Sequence, residues 1–245
     1  MKIKRLFLFF VILSAFYQCN IPSVNPTTGK EYDIVLINIE EGDRSAIAHL
    51  LLQIDSMKPA AIAVNAMFEK EKDPAQDSAL LNAFKSIKND IMICWLGENK
   101  KPIYPIKKFT EHAAGIGVAN FEYSDGLVTY FTPVFGKDDQ AYESLPLTVV
   151  KMARPDFKQK FKKNKRLKIN YTRTAEQFFS FNGSDLKNVD TAIIKDKIIL
   201  LGYLGPKKED KFFTPLRLLK DHPRNEPDSY GLIIIANQIR TLLEQ

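Results

Sequence analysis

Polar side chains that could bind a ligand lie near the ends of three predicted strands. The strands are buried apolar runs at residues 34–39, 61–64 and 197–202. Ligands of open α/β sheets bind outside the carboxyl ends of the strands, so acidic and amide groups there could hold a small polar molecule. The same side chains could equally cap helices or face solvent in loops. The residues concerned are Asn38, Glu40, Asn65, Glu69 and Asp210.

The sequence offers no arrangement typical of nucleophilic catalysis. Ser184 lies in Asn182-Gly183-Ser184-Asp185, which lacks the G-x-S-x-G pattern of an exposed nucleophile, and a turn serine is the simpler interpretation. Cys94 lies inside a predicted buried strand with no charged neighbour to lower its pKa, so we expect it to pack as a small hydrophobic residue. We therefore predict no catalytic residues. One enzymatic alternative stays open, a hydrolase whose acidic side chains hold a divalent cation.

Sequence motifs for metals and nucleotides are also lacking. Three histidines and two cysteines stand at no metal-ligand spacing, so we predict no metal site. The segment Gly202-Tyr203-Leu204-Gly205 follows a strand and could approach a phosphate. It lacks the third glycine and the lysine of phosphate-binding loops, so a tight turn is the favoured interpretation. No cofactor is expected.

The composition is that of a globular protein. The chain has 245 residues, of which 45% are hydrophobic and 26% charged, and this excludes disordered and fibrous proteins. The formal net charge is +6, and half of it comes from Lys2, Lys4 and Arg5. Such a balance does not indicate a nucleic-acid partner, which usually needs a clustered basic face. Residues 158–168 hold seven basic side chains, which either contact anionic lipid headgroups or, as we favour, form a solvated turn.

Residues 1–19 have the layout of an export signal. Basic residues precede an apolar run at 6–16, which is short for a membrane span of about 20 residues. Cys19 stands where a bacterial lipoprotein cysteine would stand, although the residues before it are larger than such sites prefer. The alternatives are lipidation at Cys19, an uncleaved N-terminal anchor and a buried element. The first two place the remaining chain outside the cytoplasm and anchored to the membrane. Residues 20–31 are rich in turn formers and predict a tether.

A βαβ unit is predicted at the start of the folded region. The strand at 34–39 is followed by a helix that Asp43 caps and Pro59 ends, and the strand at 61–64 completes the unit. Apolar residues repeat at three and four positions along that helix, as in an amphipathic helix. Asp73 and Pro74 begin a second helix, and residues 91–96 form a third strand. Such units are nearly always parallel and right-handed.

The rest of the chain is predicted to add a hairpin, two strands and two helices. Residues 117–131 read as a hairpin that turns at Asp125 and Gly126, because such turns need positive φ. Strands are predicted at 167–171 and 197–202, and helices at 144–153 and at the C-terminus, where one face is apolar. No second linker divides the chain. We therefore predict one α/β domain at residues 32–245, with a mixed, mostly parallel sheet flanked by helices and an inserted β-hairpin.

The order of these elements resembles the type-2 CHASE domain, an extracytoplasmic sensory domain of bacterial receptors. The strand at 197–202 is similar to a lysine-hydrophobic-glycine strand of that family, and residues 117–120 and 125–126 fall in matching order. The resemblance covers nearly the whole chain after the tether. Its other motifs in this sequence are Asp210 with Thr214-Pro215, Tyr230-Gly231, Ala236-Asn237 and Leu242-Leu243.

The resemblance implies a non-catalytic sensory domain and adds Thr214 and Asn237 to the candidate ligand-binding residues. Two positions depart from the family pattern. Asn65 stands where the second strand usually ends in aspartate, and Ile235 stands where the last helix usually carries a histidine. Family members typically continue into transmembrane helices and an output module. This sequence reaches Gln245 without one, so we expect a stand-alone form that acts through a separate partner.

Two functions are therefore predicted. The first is a non-enzymatic sensory protein that binds an unidentified small molecule, a membrane signalling protein, or both. The second is a structural or interaction protein of the cell envelope with a degenerate pocket, which the departures at Asn65 and Ile235 favour.

Overall fold

The computed structural model describes residues 31–137, 139–206, 210–219 and 225–245. The predicted export signal at 1–19, the predicted lipidation site at Cys19 and nearly all of the predicted tether at 20–31 lie outside these residues and stay predictions. No helix within the described ranges has the length and hydropathy that a membrane crossing requires.

The first third of the domain is the succession of strands and helices that the sequence predicts. Asp43 caps the first helix by accepting a hydrogen bond from the amide of Ala46. Asp73 caps the second by accepting from two backbone amides, with Pro74 at the first helical position. These caps satisfy donors that the helix leaves unpaired. The elements are β1 (Glu31–Asn38), α1 (Arg44–Ser56), β2 (Ala61–Asn65), α2 (Pro74–Ser86) and β3 (Asp90–Leu96).

The middle of the chain contains the predicted hairpin, but the hairpin is shorter than predicted. Its turn has positive φ at Asp125 (52°) and Gly126 (77°), whereas its first strand begins only at Glu122. Gly117 belongs instead to a strand of the central sheet. A Cβ at Gly117 would lie 2.4 Å from Cα of Leu145, so only glycine fits there. The elements are β4 (Pro102–Ile103), α3 (Lys107–Thr110), β5 (Gly115–Val118), β6 (Glu122–Ser124), β7 (Leu127–Phe131), β8 (Val134–Lys137), β9 (Gln140–Glu143) and α4 (Leu145–Ala153).

In the last third, one predicted strand is too long and one strand was not predicted. The strand predicted at 167–171 covers only two residues, because the following backbone turns to the C-terminal helix. The amide of Asn170 donates to the Thr241 hydroxyl at 2.9 Å. The elements are β10 (Leu167–Lys168), the unpredicted β11 (Phe178–Asn182), α5 (Thr191–Ile194), β12 (Ile198–Gly202), β13 (Lys211–Phe212), β14 (Ser229–Tyr230), α6 (Gly231–Leu243), and 3₁₀ turns at Ala175–Gln177, Gly183–Asn188 and Pro215–Leu219.

The central sheet has the order β11-β1-β12-β2-β3, and β4 and β5 both pair with β3. Its pairings are parallel except that of β3 with β4. Strand β12 lies between β1 and β2, with Asn38, Gly202 and Asn65 in register. The prediction of one mixed, mostly parallel sheet is thus confirmed. The inserted hairpin joins β10 in a separate three-stranded sheet, β10-β7-β6.

Helices cover both faces of the central sheet. On one face, α1 and α2 bury a core that includes Ile37, Leu51 and Phe84. On the other, α4 and α6 pack in a core that also receives side chains from the hairpin. The prediction of a single apolar face on α6 was too narrow, because residues 231–239 are all buried. The helix is enclosed by the sheet, α4 and the segments around the hairpin, so it needs apolar side chains nearly all round.

Candidate functional site

Two of the predicted site residues, Asn65 and Asp210, line one cavity of about 210 Å³. The cavity lies beyond the carboxyl ends of β2, β3, β5 and β12 and reaches the first turn of α6. Asn65 ends β2, Asn120 follows β5, and Asp210 precedes β13, so an amide, a second amide and a carboxylate meet at one place. This is the edge at which open α/β sheets bind ligands.

Most of the remaining wall is aromatic. The rings of Phe121 and Phe212 lie 4.5 Å apart at 65°, an edge-to-face contact that forms a corner of the cavity. Both rings pack on Gly231 at the start of α6, where an added Cβ would lie 3.2 Å from Phe121 and 3.4 Å from Phe212. Trp95 lines the same cavity with 43% of its surface exposed, and Tyr203 completes the aromatic set.

The two glycines of the segment 202–205 make room for the cavity wall. A Cβ at Gly202 would lie 2.3 Å from Cδ1 of Leu232, so its absence lets α6 approach the end of β12. A Cβ at Gly205 would lie 2.3 Å from the hydroxyl of Tyr203, so its absence leaves space for that ring. This packing explains both glycines, and the tight turn predicted for the segment stays a prediction.

Asn120 continues the pairing of β3 and β5 through its side chain. Its Nδ2 donates to the carbonyl of Leu96 at 3.1 Å, and its Oδ1 accepts from the Leu96 amide at 2.6 Å. Both bonds a neighbouring strand would make are thus formed by one amide group. The effect is to fix Trp95 and Phe121, the chain neighbours of these two residues, beside the cavity.

Asn38 and Glu40 lie at the other side of the same sheet edge, where they tie loops together. Nδ2 of Asn38 donates to Oδ1 of Asn182 at 3.0 Å, and its Oδ1 accepts from the amides of Glu40 (3.1 Å) and Leu204 (2.9 Å). The Glu40 carboxylate accepts from the Ser184 amide at 3.1 Å. Asn38 also lines a shallow pocket of about 300 Å³ with Asn182 and Leu204. A ligand role for these two residues stays a prediction.

Glu69 does not join either group, because it lies exposed in the loop between β2 and α2. That loop is held by a buried ion pair between Arg44 and Asp77, and Nζ of Lys108 lies 2.8 Å from the same carboxylate. Burial alone would raise the pKa of Asp77, but the hydrogen bonds from Lys108 and Arg44 outweigh it and bring that pKa down to about 2. This cluster lies on the face of the sheet that α1 and α2 cover, whereas the aromatic cavity reaches α6 on the opposite face.

Thr214 is fully buried and its hydrogen-bonding groups face Asp228. The residues around Asp228 line a second cavity of about 250 Å³, together with Glu176, Arg217 and Tyr230. Burial raises the pKa of Asp228, and its hydrogen bonds from Thr214 partly oppose this. The structure therefore places Thr214 behind the wall of a different cavity from the one that Asn65 and Asp210 share.

Asn237 is also fully buried, and its amide group is engaged on both sides. Its Oδ1 accepts from the amides of Thr172 (3.2 Å) and Arg173 (3.1 Å), and its Nδ2 donates to the carbonyls of Arg173 (3.0 Å) and Ile233 (2.9 Å). It anchors the segment after β10 to α6. Both family motif residues, Thr214 and Asn237, thus hold the fold together around α6, and a ligand role stays a prediction.

Cys94 and Ser184, the two nucleophiles considered in the sequence, both lie in structural positions. Cys94 is buried, and burial raises the pKa of its thiol to about 11, which keeps it protonated at neutral pH. Ser184 lies in the 3₁₀ turn at Gly183–Asn188, and its amide donates to Glu40. Within the described part of the chain, no three histidine, cysteine, aspartate or glutamate side chains could hold a metal ion.

Sequence reasoning missed the aromatic residues that dominate the cavity. The sequence places Trp95 only within a predicted strand, and it predicts no role for Phe121, Tyr203 or Phe212. One signal was available: Tyr203 directly follows β12, and Phe121 follows β5 within three residues, so both stand just beyond carboxyl strand ends. Phe212 could not be found this way, because only the folded chain brings β13 to this edge.

An α/β domain with parallel strands, helices on both faces and a cavity beyond the carboxyl strand ends is a common design for binding small molecules. Comparison with protein families assigns the chain more closely. The CHASE2 domain family matches residues 29–245, nearly the whole chain, and the protein belongs to that family of extracytoplasmic sensory domains. Comparisons with curated proteins and with solved structures give no significant match.

Proposed function

We propose that this protein is a non-catalytic sensory domain that binds a small molecule in the aromatic cavity and acts through a separate membrane or signalling partner. Membership of the CHASE2 family supports the sensory role and a location outside the cytoplasm. Attachment to the membrane through residues 1–19, with or without a lipid on Cys19, is part of the same proposal.

The observation that carries the proposal is the position of the cavity. It joins the ends of four parallel strands to the first turn of α6, through Gly231 and Leu232. At about 210 Å³ it is smaller than the 300–1,000 Å³ typical of pockets for drug-sized ligands, which favours a small metabolite.

Helix α6 is the element through which a bound ligand would act. It starts at the cavity and runs 13 residues to Leu243, a length of about 20 Å. Its side chains are buried against the sheet and α4, so a displacement at Leu232 would be carried by a rigid, closely packed helix. The partner would respond to a shift of this helix or of the residues that pack on it.

A second function, a structural or interaction protein of the envelope, is favoured by one observation. Trp95, Ile103 and Tyr104 are 43%, 47% and 46% exposed on or next to the β3–β4 edge. Large apolar side chains grouped on a surface often contact another protein. In that case Ile103 and Tyr104, which do not line the aromatic cavity, would be needed for function and Phe212 would not.

A thermal-shift screen separates the two functions. The purified full-length chain, kept in a non-ionic detergent, is melted with a panel of small metabolites. A ligand at 100 times its Kd stabilises the fold by about 2.7 kcal/mol, which raises Tm by roughly 5 °C or more for a chain of this size.

One aromatic substitution tests the cavity and a second serves as its control. Phe212→Ala removes one side of the cavity corner, whereas Tyr123→Ala removes an exposed ring on the hairpin, 54% exposed, that does not line the cavity. We expect a stabilising ligand whose effect is lost in Phe212→Ala and kept in Tyr123→Ala. A flat screen, or equal responses of both variants, would reject ligand binding at this cavity and favour the interaction protein.

A further inference from the structure

The chain between α4 and β10 displays a dense set of basic side chains. Residues 158–168, here called the lysine segment, contain seven of them, and the sequence leaves two interpretations, a solvated turn and a contact with anionic lipid headgroups. The structure places residues 154–166 outside regular helices and strands and leaves all seven basic side chains exposed. A solvated turn would look the same, but three further observations favour the lipid contact.

The first observation is that the charge of the lysine segment is not compensated. Residues 154–168 contain a single acidic residue, Asp156. Arg166 pairs with Glu122, with Nε and Oε2 3.3 Å apart. The remaining positive charge is available to an anionic surface. Four lysines form no ion pair with any residue that the structure describes: Lys158, Lys160, Lys162 and Lys165.

The second observation is that the folded domain holds the segment in place. Phe157 and Phe161 are partly buried against the core around α4 and α6, and their rings stack 6.5 Å apart at 20°. Further along, Nδ2 of Asn164 donates to the carbonyl of Gly136 at 2.8 Å, and its Oδ1 accepts from the Gly136 amide at 3.0 Å. Because the backbone is already fixed at these points, binding would cost little further ordering of the chain.

The third observation is the edge of the sheet at which the lysine segment starts. A Cβ at Gly117, near the end of β5, would lie 2.4 Å from Cα of Leu145, where α4 begins. A Cβ at Gly115, where β5 begins, would lie 3.5 Å from Cε of Met152, near the end of α4. Helix α4 therefore runs back along β5, and the chain leaves it at the amino ends of the parallel strands.

Strand β1, which follows the predicted anchor and tether, begins at this same edge, because β1 and β5 belong to one parallel set. Four strand spacings separate β1 from β5, a distance of about 19 Å. Nε2 of Gln159 donates to Oε1 of Gln245 at 2.6 Å, so this part of the segment also lies beside the end of α6. The start of β1 and the start of the lysine segment thus lie at one edge of the domain.

We infer that the amino edge of the sheet faces the membrane and that the lysine segment binds anionic phospholipid headgroups there. This inference rests on the proposed attachment through residues 1–19, which brings the domain to a membrane, and it adds a second contact that orients the domain. The side chains that would bind the headgroups are those without an ion pair, Lys158, Lys160, Lys162 and Lys165.

The opposite edge of the sheet is unsuited to an anionic surface. The loop between β1 and α1 carries Glu40, Glu41 and Asp43 and no basic residue, so an anionic membrane would repel it. The aromatic cavity lies at that carboxyl edge. With the amino edge on the lipid, the cavity is turned away from the membrane, towards solutes.

Acetylation of lysines in the full-length chain on vesicles tests this contact. The chain is added to preformed vesicles of phosphatidylglycerol or of phosphatidylcholine and treated with a water-soluble acetylating reagent, and each lysine is followed by mass spectrometry. We expect the four lysines to react roughly fivefold more slowly on phosphatidylglycerol, since an anionic surface favours each nearby basic residue by about that factor. Salt at about 1 M, which shortens the screening length to about 3 Å, should remove the difference.

Lysines of the opposite edge are the internal controls. They are exposed in loops that follow the carboxyl ends of β2, β3 and β11, and they should react equally on both kinds of vesicle: Lys72, Lys100, Lys101 and Lys187. A matched pair of variants adds a second measurement. Changing the four lysines of the lysine segment to glutamine should abolish the preference for phosphatidylglycerol in vesicle flotation, whereas the same change at the four control lysines should keep it.

The outcomes separate this inference from the proposed attachment. A chain that floats with both kinds of vesicle while the lysine segment reacts equally on each would overturn the lipid contact and leave the attachment. Protection of the control lysines would turn the carboxyl edge to the membrane and also overturn it. Flotation with phosphatidylglycerol alone, lost in the variant of the lysine segment, would support the lipid contact and overturn the attachment through residues 1–19. Flotation with neither would overturn both.

Discussion

The hydroxyl of Thr214 donates a hydrogen bond of 2.5 Å to the carboxylate of Asp228, whose other oxygen accepts from the Thr214 amide at 2.8 Å. The same hydroxyl accepts from the amide of Leu216 at 3.2 Å. One side chain thus joins the chain after β13 to the chain before β14. Because Phe212 belongs to β13, this contact holds one side of the aromatic cavity in place.

Replacing Thr214 by valine keeps the shape of the side chain and removes its hydroxyl. The carboxylate of Asp228 then loses the hydroxyl bond in a half-buried position, so we expect a loss of about 1–3 kcal/mol of unfolding free energy. Urea denaturation measures the loss. Thr148→Val is the matched control, because its hydroxyl makes one local bond within α4. A Thr214→Val loss no larger than that of the control would contradict a structural role for this contact.

The buried ion pair of Arg44 and Asp77 gives a second stability prediction. Asp77→Ala would leave the guanidinium group of Arg44, whose side chain is 5% exposed, without its carboxylate. Removing one partner of a buried pair costs about 3–5 kcal/mol. The exposed pair of Lys107 and Glu111, with Nζ and Oε1 3.3 Å apart, is the control, and Glu111→Ala is expected to change stability by less than about 1 kcal/mol. If Asp77→Ala and Glu111→Ala lost similar amounts of unfolding free energy, the buried pair would stabilise the fold no more than the exposed pair does.

Asp90 predicts a pH dependence of stability. Its side chain is fully buried, its Oδ2 has no hydrogen-bond partner among the residues that the structure describes, and its Oδ1 accepts a long bond of 3.3 Å from the Ala114 amide. Burial raises its pKa from 3.8 to about 6, although the bonds from Ala114 and its own amide lower it, and Asp55 and Lys88 act in opposite directions. The folded state therefore holds this proton more tightly than the unfolded state.

The stabilisation from Asp90 is complete below about pH 4 and is lost as the pH rises through 6. A shift of about two pKa units corresponds to roughly 3 kcal/mol. The free energy of unfolding is measured by urea denaturation from pH 3 to 8. As the pH rises from 4 to 8, the unmodified protein should lose about this much stability relative to Asp90→Asn. Asp125→Asn, a change at an exposed turn position, is the control and should lose stability as the unmodified protein does. Parallel pH profiles of Asp90→Asn and the unmodified protein would contradict the assignment.

Gly202→Ala is predicted to damage the fold and the cavity together. Its new Cβ would lie 2.3 Å from Cδ1 of Leu232 and 3.2 Å from Cβ of Asn65, and both of these residues line the cavity. Overpacking of this kind costs about 1–3 kcal/mol. In Gly97→Ala the nearest atom is 3.3 Å away, so a smaller loss is expected. The measurement is Tm with and without a stabilising ligand, and a Gly202→Ala variant that still responds fully would contradict the placement of the ligand.

Much of the fold followed from local rules. Asp43 and Asp73 are caps at the predicted places, and the buried runs became β1, β2, β3 and β12. Strand β11 was missed because its aromatic and polar residues alternate at the sheet edge and do not form an apolar run. The hairpin was extended too far because Gly117 and Val118 look like hairpin residues, while their pairing with β3 is set by tertiary contacts.

The candidate site was only partly predictable. The rule that ligands bind beyond carboxyl strand ends groups Asn65 with Asp210, and the structure brings both to one cavity, but the rule also includes Glu69, which is exposed in a loop. Asn237 looks like a polar site residue in the sequence, yet its partners at Thr172 and Arg173 are 64 or 65 positions away. Such long-range hydrogen bonds cannot be read from one sequence, and neither can the meeting of Phe121 with Phe212.

The most direct test of the account uses Trp95, which is the single tryptophan of the sequence and lines the cavity. Each compound that raises Tm in the screen is titrated while the emission of Trp95 is recorded. We predict a saturable change in emission whose Kd equals the value from isothermal titration calorimetry, and its loss in Phe212→Ala. Stabilising ligands that leave Trp95 emission unchanged would place the binding site elsewhere and contradict the central claim.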